Sequence, residues 1–387
     1  MTLSLRPVAQ HSRRAGLSAP LLFALLFALL APVAAHAEPY LAIRSGLKCM
    51  ACHVNPDGGG KRTEFGATYG QTALASQRLD PATGQTVASA GTAPALWTGK
   101  LNDQFAIGSD LRATLQSVKV PGSKETLAFS PTRAQIYLEA KPLGERLLLY
   151  LDERVASGAA THREIYALLW FADRSAYVKA GRIFIPFGLR IEDDTAFIRQ
   201  VSGVNFNSSD DGVEGGLEIG PWSAAISVTN GAGGGTETNR GKLISSIASY
   251  VQPDWRIGLS ASVNRNDATD RSMQSVFGGL RLGIVSALAS AVYITDEGTP
   301  TGRLKHWASL VEANIEAAKG HNIKLTYEYY DPNLDVSEDQ RARYSAVWEY
   351  VPFQFTQFRF GARKSAGIPQ NQAQNGSEIF LQWHAFF

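Results

Sequence analysis

From residue 97 onward the chain repeats one pattern, hydrophobic and polar positions alternating with a period of two over stretches of about ten residues. In 322–330 (NIKLTYEYY), Ile323, Leu325, Tyr327 and Tyr329 share one face, while Asn322, Lys324, Thr326 and Glu328 share the other. In 343–350, Tyr344, Ala346, Trp348 and Tyr350 alternate with Arg343, Ser345, Val347 and Glu349. Successive side chains of a strand point to opposite faces, so each stretch predicts a strand with one apolar, aromatic-rich face. Sixteen such stretches can be marked: near 101–119, 132–141, 146–157, 162–171, 175–184, 211–219, 222–230, 242–251, 255–265, 272–282, 284–295, 304–317, 321–330, 341–350, 353–364 and 378–387.

A water-soluble sandwich also alternates, so the connections decide the architecture. Tight turns (PLGE, ADR, GP, QPD, AKG, VP) take turns with longer polar connections at 185–210, 231–241, 331–340 and 365–377. Strands of this length cross a bilayer when tilted, and no later apolar run reaches the length of a membrane-spanning helix. The fold class expected is mainly β: an antiparallel transmembrane barrel of about sixteen strands, both termini on the periplasmic side. Its last stretch, EIFLQWHAFF, sets Ile379, Leu381, Trp383, Ala385 and Phe387 outward, and resembles the closing strand of outer-membrane barrels.

The amino terminus reads differently. Arg6, Arg13 and Arg14 precede the apolar run 21–31, and Ala35, His36 and Ala37 supply the small residues of a cleavage site, so 1–37 is expected to be a secretory signal peptide. The leader carries three of the 37 lysines and arginines and none of the 35 acidic residues, which leaves the exported chain with a net charge near −1. That balance gives nucleic-acid binding no electrostatic basis.

Both cysteines of the chain lie in KCMACH, 48–53. In an exported protein, Cys49-x-x-Cys52-His53 points to one haem c, the thiols adding to the haem vinyl groups while His53 ligates the iron. A Cys49–Cys52 disulfide, a redox pair and half of a zinc site are the bland alternatives. Zinc asks for four ligands and there is no second cysteine pair. A thioredoxin-like pair asks for a helix after the motif, where 54–60 (VNPDGGG) is turn sequence. The expected organisation is therefore a leader at 1–37, a monohaem cytochrome c segment at 38–80, a linker at 81–96 and a barrel at 97–387. A segment of some forty residues cannot bury a haem alone and has to borrow a wall from the barrel.

With these parts the chain resembles the fused cytochrome-porin family, best known from outer-membrane iron-oxidising cytochromes. The likeness rests on Cys49 to His53, the turn at Asn55 to Gly60, Phe65-Gly66 and the barrel. The barrel half is also similar to phosphate-selective porins in 181–190 (GRIFIPFGLR), followed by Asp193, Asp194 and Phe197-Ile198-Arg199. The resemblance implies an outer-membrane electron-transfer protein rather than a hydrolytic or synthetic enzyme. Its partners would be a periplasmic carrier such as a soluble cytochrome c and an extracellular donor or acceptor, with Fe(II) the donor the family suggests. A solute or anion porin with a haem-bearing amino-terminal plug is the alternative.

Residues 185–210 carry Arg190, Glu192, Asp193, Asp194 and Arg199 with Phe187, Phe197 and Phe206, and either fold inward to narrow the lumen or stay wet at the surface. The Gly233–Gly235 run reads as a flexible loop tip. For a sixth iron ligand the chain offers Met273, His162, His306, His321 and His384. Among these, His384, lumenal by alternation and near the periplasmic end, ranks first and His321 second, and an open or water-ligated iron stands level with either. The competing reading of His384 is an interior residue bonded to Gln382 or Glu378.

Overall fold

The structure, a computed structural model, describes residues 39–87, 96–156, 158, 160–204, 208–266, 269–299 and 302–387. The expected signal peptide lies outside these residues, as do residues 88–95 of the linker and Phe206. Sixteen antiparallel strands form a closed barrel. The first, Phe105–Lys119, pairs with the last, Ser377–Phe386, in a continuous register from Asp110 opposite Phe386 to Lys119 opposite Ser377. Ser109 and Phe387 extend the ladder by exchanging backbone hydrogen bonds of 3.2 and 3.1 Å, so pairing runs to the final residue.

All sixteen expected strands are present, with shifted ends that have local causes. The first starts late because Leu101 and Asn102 turn back on the Phe105 carbonyl, and the Asn102 side chain accepts from the backbone N–H groups of Gln104 and Phe105. The fifteenth strand of the barrel is Thr356–Ala366 rather than 353–364. Pro352 lacks an N–H to give to a ladder, and Phe355 sits at φ 68 in the turn. The connection at 142–145 adds a four-residue extended piece, Pro142–Glu145, that is no part of the barrel order.

The two faces of the wall invert the arrangement of a soluble protein. Leu259, Val276, Ile226, Tyr344 and Leu381 stand exposed on the outside, whereas Asp152, Glu164, Lys179, Glu214 and Glu349 are buried on the inside. In the strand His321–Asp331, Asn322, Lys324 and Glu328 are buried and Leu325 and Tyr327 exposed, as alternation requires.

Two segments fill the lumen. Residues 39–87 form a plug at the short-turn end, built from the helix Pro39–Ser45, the helical turn Cys49–Cys52 and the helix Glu64–Tyr69, which widens into a π-helical turn at Gly70–Leu74. The plug reaches the wall on several sides: Tyr40 donates to Glu349 at 3.0 Å, Lys48 pairs with Glu218 at 2.8 Å, and Leu79 and Gln354 bond reciprocally at 2.9 and 2.6 Å. The long connection after the strand Ala176–Phe184 turns inward, which decides between its two readings. Ile185, Phe187, Ile191 and Ile198 pack on Met273, Val292 and Leu310 of the wall. Its acids clamp it across the lumen: Asp193 to Arg363 at 2.8 Å and Arg343 at 3.4 Å, Asp194 to Arg133 at 2.9 Å, and Glu192 to both Arg112 and Arg359. Arg343 and Arg363 hold the Asp193 carboxyl well below the usual range, against a burial penalty.

An outward position at mid-strand should be intolerant of charge. We expect Leu259→Arg to cost about 2–4 kcal/mol of folding free energy in lipid bilayers, measured by denaturant unfolding in vesicles, with Leu259→Val near neutral.

Candidate functional site

The cysteine motif is fixed by its own backbone. Cys49–Cys52 is one helical turn, closed where the His53 N–H donates to the Cys49 carbonyl at 2.9 Å, so two thiols spaced by three share a face. The chain then reverses: Gly58 N–H donates to the Asn55 carbonyl at 2.9 Å and Val54 N–H to the Lys61 carbonyl at 3.0 Å. Gly58, Gly59 and Gly60 all take positive φ, a succession that only glycine adopts without strain. The Thr63 hydroxyl accepts from Gly66 N–H at 3.0 Å and donates to the Ala51 carbonyl at 2.7 Å, tying the next helix to the motif. Gly66 lies so close to the Cys52 carbonyl that any side chain there would collide with it.

Cys49, Cys52, His53 and Gly58–Gly60 border one cavity between plug and inner loop, about 1500 Å³ of empty space counting the part open to solvent. The wall contributes Arg112, Arg133, Arg163 and His384, and the inner loop adds Arg190, Glu192 and Asp194. Met50, Ala51 and His53 border a second cavity on the other side of the turn, toward the short-turn mouth. The motif is thus a partition between two spaces.

Burial pushes both thiols up, and for Cys49 the nearby Arg256 acts in the opposite sense. Burial, with the Arg62 charge adding to it, lowers His53 to about 4, the backbone of Gly60 and Gly59 partly offsetting this. The imidazole is therefore neutral at pH 7. Its Nδ1 is buried without a hydrogen-bond partner, an omission worth roughly 1–3 kcal/mol in a folded protein. These residues fit the haem that the sequence implies. There are two unpaired thiols on one face, a neutral imidazole beside them with an unused ring nitrogen, and a cavity that all three residues border. The other readings find less: the turn stops at His53 with no helix behind it, and no trio of His, Cys, Asp or Glu among the described residues is grouped to cage a bare ion.

Of the expected distal candidates, only His384 reaches this cavity. Its Nε2 lies 2.7 Å from Asp110 and its Nδ1 contacts the side-chain oxygen of Gln357. Gln382 and Glu378, the partners expected from its own strand, turn instead to Thr114 and Arg363. Lumenal side chains bond across to adjacent strands more readily than along their own, where the next same-face residue is two positions away. Both ring nitrogens of His384 are therefore engaged within the protein. His321 is not a distal candidate: it stacks 4.0 Å from Tyr350 and accepts from Trp348 at 3.0 Å, among outward-facing aromatics. Its odd-numbered position sets it on the apolar face with Ile323 and Leu325. Met273 is packed under the inner loop, His306 pairs with Asp296 at 3.2 Å, and His162 lies exposed beside Glu153.

The anchor that holds the motif was not visible in the sequence. Lys179, fully buried, reaches Glu214 of the wall at 2.8 Å and Asp57 of the plug at 3.1 Å, and donates to Asn55 at 3.3 Å. Asn55 in turn donates to both oxygens of Glu164, at 3.0 and 2.9 Å. Lys61 pairs with Glu139 at 2.9 Å, and its backbone N–H donates to the Tyr150 hydroxyl at 2.8 Å.

Solved structures similar to this chain are outer-membrane barrels. OmpT of Vibrio cholerae matches with a TM-score of 0.57 and 11% identity, covering 74% of this chain and 100% of that one. The anion-selective porin of Comamonas acidovorans matches at 0.58 and 10%, covering 73% and 99%, and OprB of Pseudomonas putida at 0.56 and 10%, covering 74% and 94%. The fold is a porin fold. At these identities the likeness is one of fold alone, and roughly a quarter of this chain has no counterpart in them. No family model and no curated protein matches the sequence.

Removing the anchor should release the plug and spare the barrel. Lys179→Met strands Asp57 and Glu214 without their cation, at a cost of about 3–5 kcal/mol for a broken buried pair. We expect residues 39–87 to become cleavable by added protease, while the barrel keeps its different migration in unheated and boiled samples.

Proposed function

We propose that the chain is an outer-membrane barrel holding one covalently attached haem c in its lumen, and that it transfers electrons between the extracellular side and periplasmic carriers. The observation that carries this is the meeting, in one lumenal cavity, of Cys49, Cys52 and a neutral His53 with an unused ring nitrogen. On this reading residues 1–37 are the export leader, 38–80 the haem segment, 81–96 a linker and 97–387 the barrel. Cys49 and Cys52 would tether the group and His53 would ligate its iron. Haem bound there supplies a one-electron couple.

What the residues do around that couple follows from the geometry. The turn Cys49–Cys52 holds both thiols toward the inner cavity and leaves Met50 and Ala51 toward the short-turn mouth, so the tether lies within a few residues of the periplasmic side. The inner loop is clamped across the lumen and the plug is anchored to the wall by Lys179. We expect this filled lumen to favour electron transfer over passage of hydrated solutes. A soluble periplasmic cytochrome c suits the mouth as partner, and Fe(II) is the extracellular donor that the sequence resemblance suggests.

The second reading is a solute or anion porin with a haem-bearing plug. It is favoured by the barrel's likeness to solved porins, one of them anion-selective. The filled lumen weighs against it.

Two measurements separate these readings. The Cys49→Ala/Cys52→Ala variant should lose haem stain after denaturing electrophoresis and its pyridine haemochrome spectrum, and an unchanged spectrum would remove the cytochrome assignment. In planar bilayers the intact protein should conduct poorly, and deletion of residues 38–95 should open it. Large stable channels in the intact protein, with no electron exchange with reduced periplasmic carriers, would establish the porin reading.

A further inference from the structure

The cavity lining is rich in cations, seven lysine and arginine side chains, of which Lys48 and Arg163 are paired behind it with Glu218 at 2.8 Å and Asp152 at 3.1 Å. Arg112 is paired with Asp110 at 2.8 Å and with Glu192, and Arg133 with Asp194 at 2.9 Å. Arg190 spans the gap between loop and plug, donating to the carbonyls of Ile185 at 3.0 Å and Gly58 at 3.3 Å with its guanidinium over the Phe184 ring. Arg62, on the plug itself, meets no carboxylate within ion-pair distance among the described residues; its guanidinium rests 4.3 Å above the Phe386 ring. A cation against an aromatic face is oriented without its fork being used up, so all five donors remain for an incoming acceptor.

We propose that the arginine side of this cavity is a binding site for a pair of carboxylates, and that these are the two propionates at the edge of the porphyrin opposite its vinyl groups. The proposal rests on the haem reading and adds to it the residues that orient the ring. Cys49 and Cys52 engage the vinyl side, which turns the carboxylate side away from the motif and toward cations supplied by the plug, the wall and the loop. Guanidinium forks match carboxylates bidentately, and in a partly dry cavity such bonds are stronger than neutral ones.

The test uses the full-length chain carrying Cys49→Ala/Cys52→Ala, so that the ligand binds reversibly, titrated by absorbance with haemin and with haemin dimethyl ester. Haemin should bind about tenfold or more tightly than the diester, the gain expected from one charge-assisted pair. Adding Arg62→Gln should weaken haemin about tenfold and leave the diester unchanged, with Arg62→Lys restoring part of the loss. If Arg62→Gln no longer shows the mobility shift on boiling that marks a folded barrel, Arg190→Gln replaces it with the same expectation. Equal affinity for haemin and diester, or a substitution that weakens both alike, overturns the carboxylate site and leaves the haem reading standing. Displacement of haemin by millimolar inorganic phosphate assigns the site to small free anions instead, and also overturns it. Binding of neither porphyrin overturns this site, while the haem reading stands or falls separately with the haem stain of the chain that keeps both cysteines.

Discussion

The pairing of the first strand with the last governs everything else in this molecule. Inside hydrocarbon a backbone N–H or C=O has no water to turn to, so a sheet there must have no free edge. The ladder between Phe105–Lys119 and Ser377–Phe386 removes the last edge, and it does so by joining residues more than 250 positions apart. Once the wall is closed, alternation leaves no choice about its faces. One goes to lipid, the other to an interior that is narrow, polar and crowded with charge.

That interior explains why a short plug can be held largely by polar contacts. Its larger buried apolar side chains, Tyr40, Leu41, Ile43 and Leu74, gather in one small cluster. The segment is held chiefly by polar contacts with a prebuilt wall, with Lys179, Glu164, Glu139, Glu349 and Gln354 each meeting a plug residue. Buried ion pairs of this kind contribute little net stability, because desolvation offsets most of the attraction. They do make misplacement costly, since a shift of the plug leaves several charges unpaired at once. The inner loop uses the same device, three consecutive acids each finding a different arginine of the wall.

Much of this was legible in the sequence because it is written locally. Period-two alternation located all sixteen strands, and the turn residues located the short end. Tyr344, Trp348, Ile379, Leu381 and Trp383 stand outward as their positions required. The cysteine motif and its glycine turn needed no tertiary information either. What was not legible depends on register across strands far apart in the chain. His384 could be placed in the lumen, yet its partners Asp110 and Gln357 follow from how three strands align. His321 lies at the expected end of its strand but on the outer face, stacked on Tyr350, so position along the strand does not make it lumenal. The run Gly233–Gly235 looked like a loose tip, but Asp210 accepts from the backbone N–H groups of Gly231 and Gly234 and Arg182 donates to the Gly234 carbonyl. The inward fold of the loop at 185–204 is decided by Arg343 and Arg363, which lie well over a hundred residues downstream.

The helical turn that separates the two cavities also fixes an order of events in biogenesis. In the finished barrel Cys49 and Cys52, each partly buried, border a cavity inside the lumen between the plug, the wall and the clamped loop. No protein-sized catalyst can reach a thiol there. A group joined to these cysteines therefore has to be joined while the chain is still an open periplasmic substrate, ahead of insertion. Barrel closure then acts as a ratchet, making an earlier chemical step irreversible and setting apart chains that missed it, which carry an empty chamber in its place.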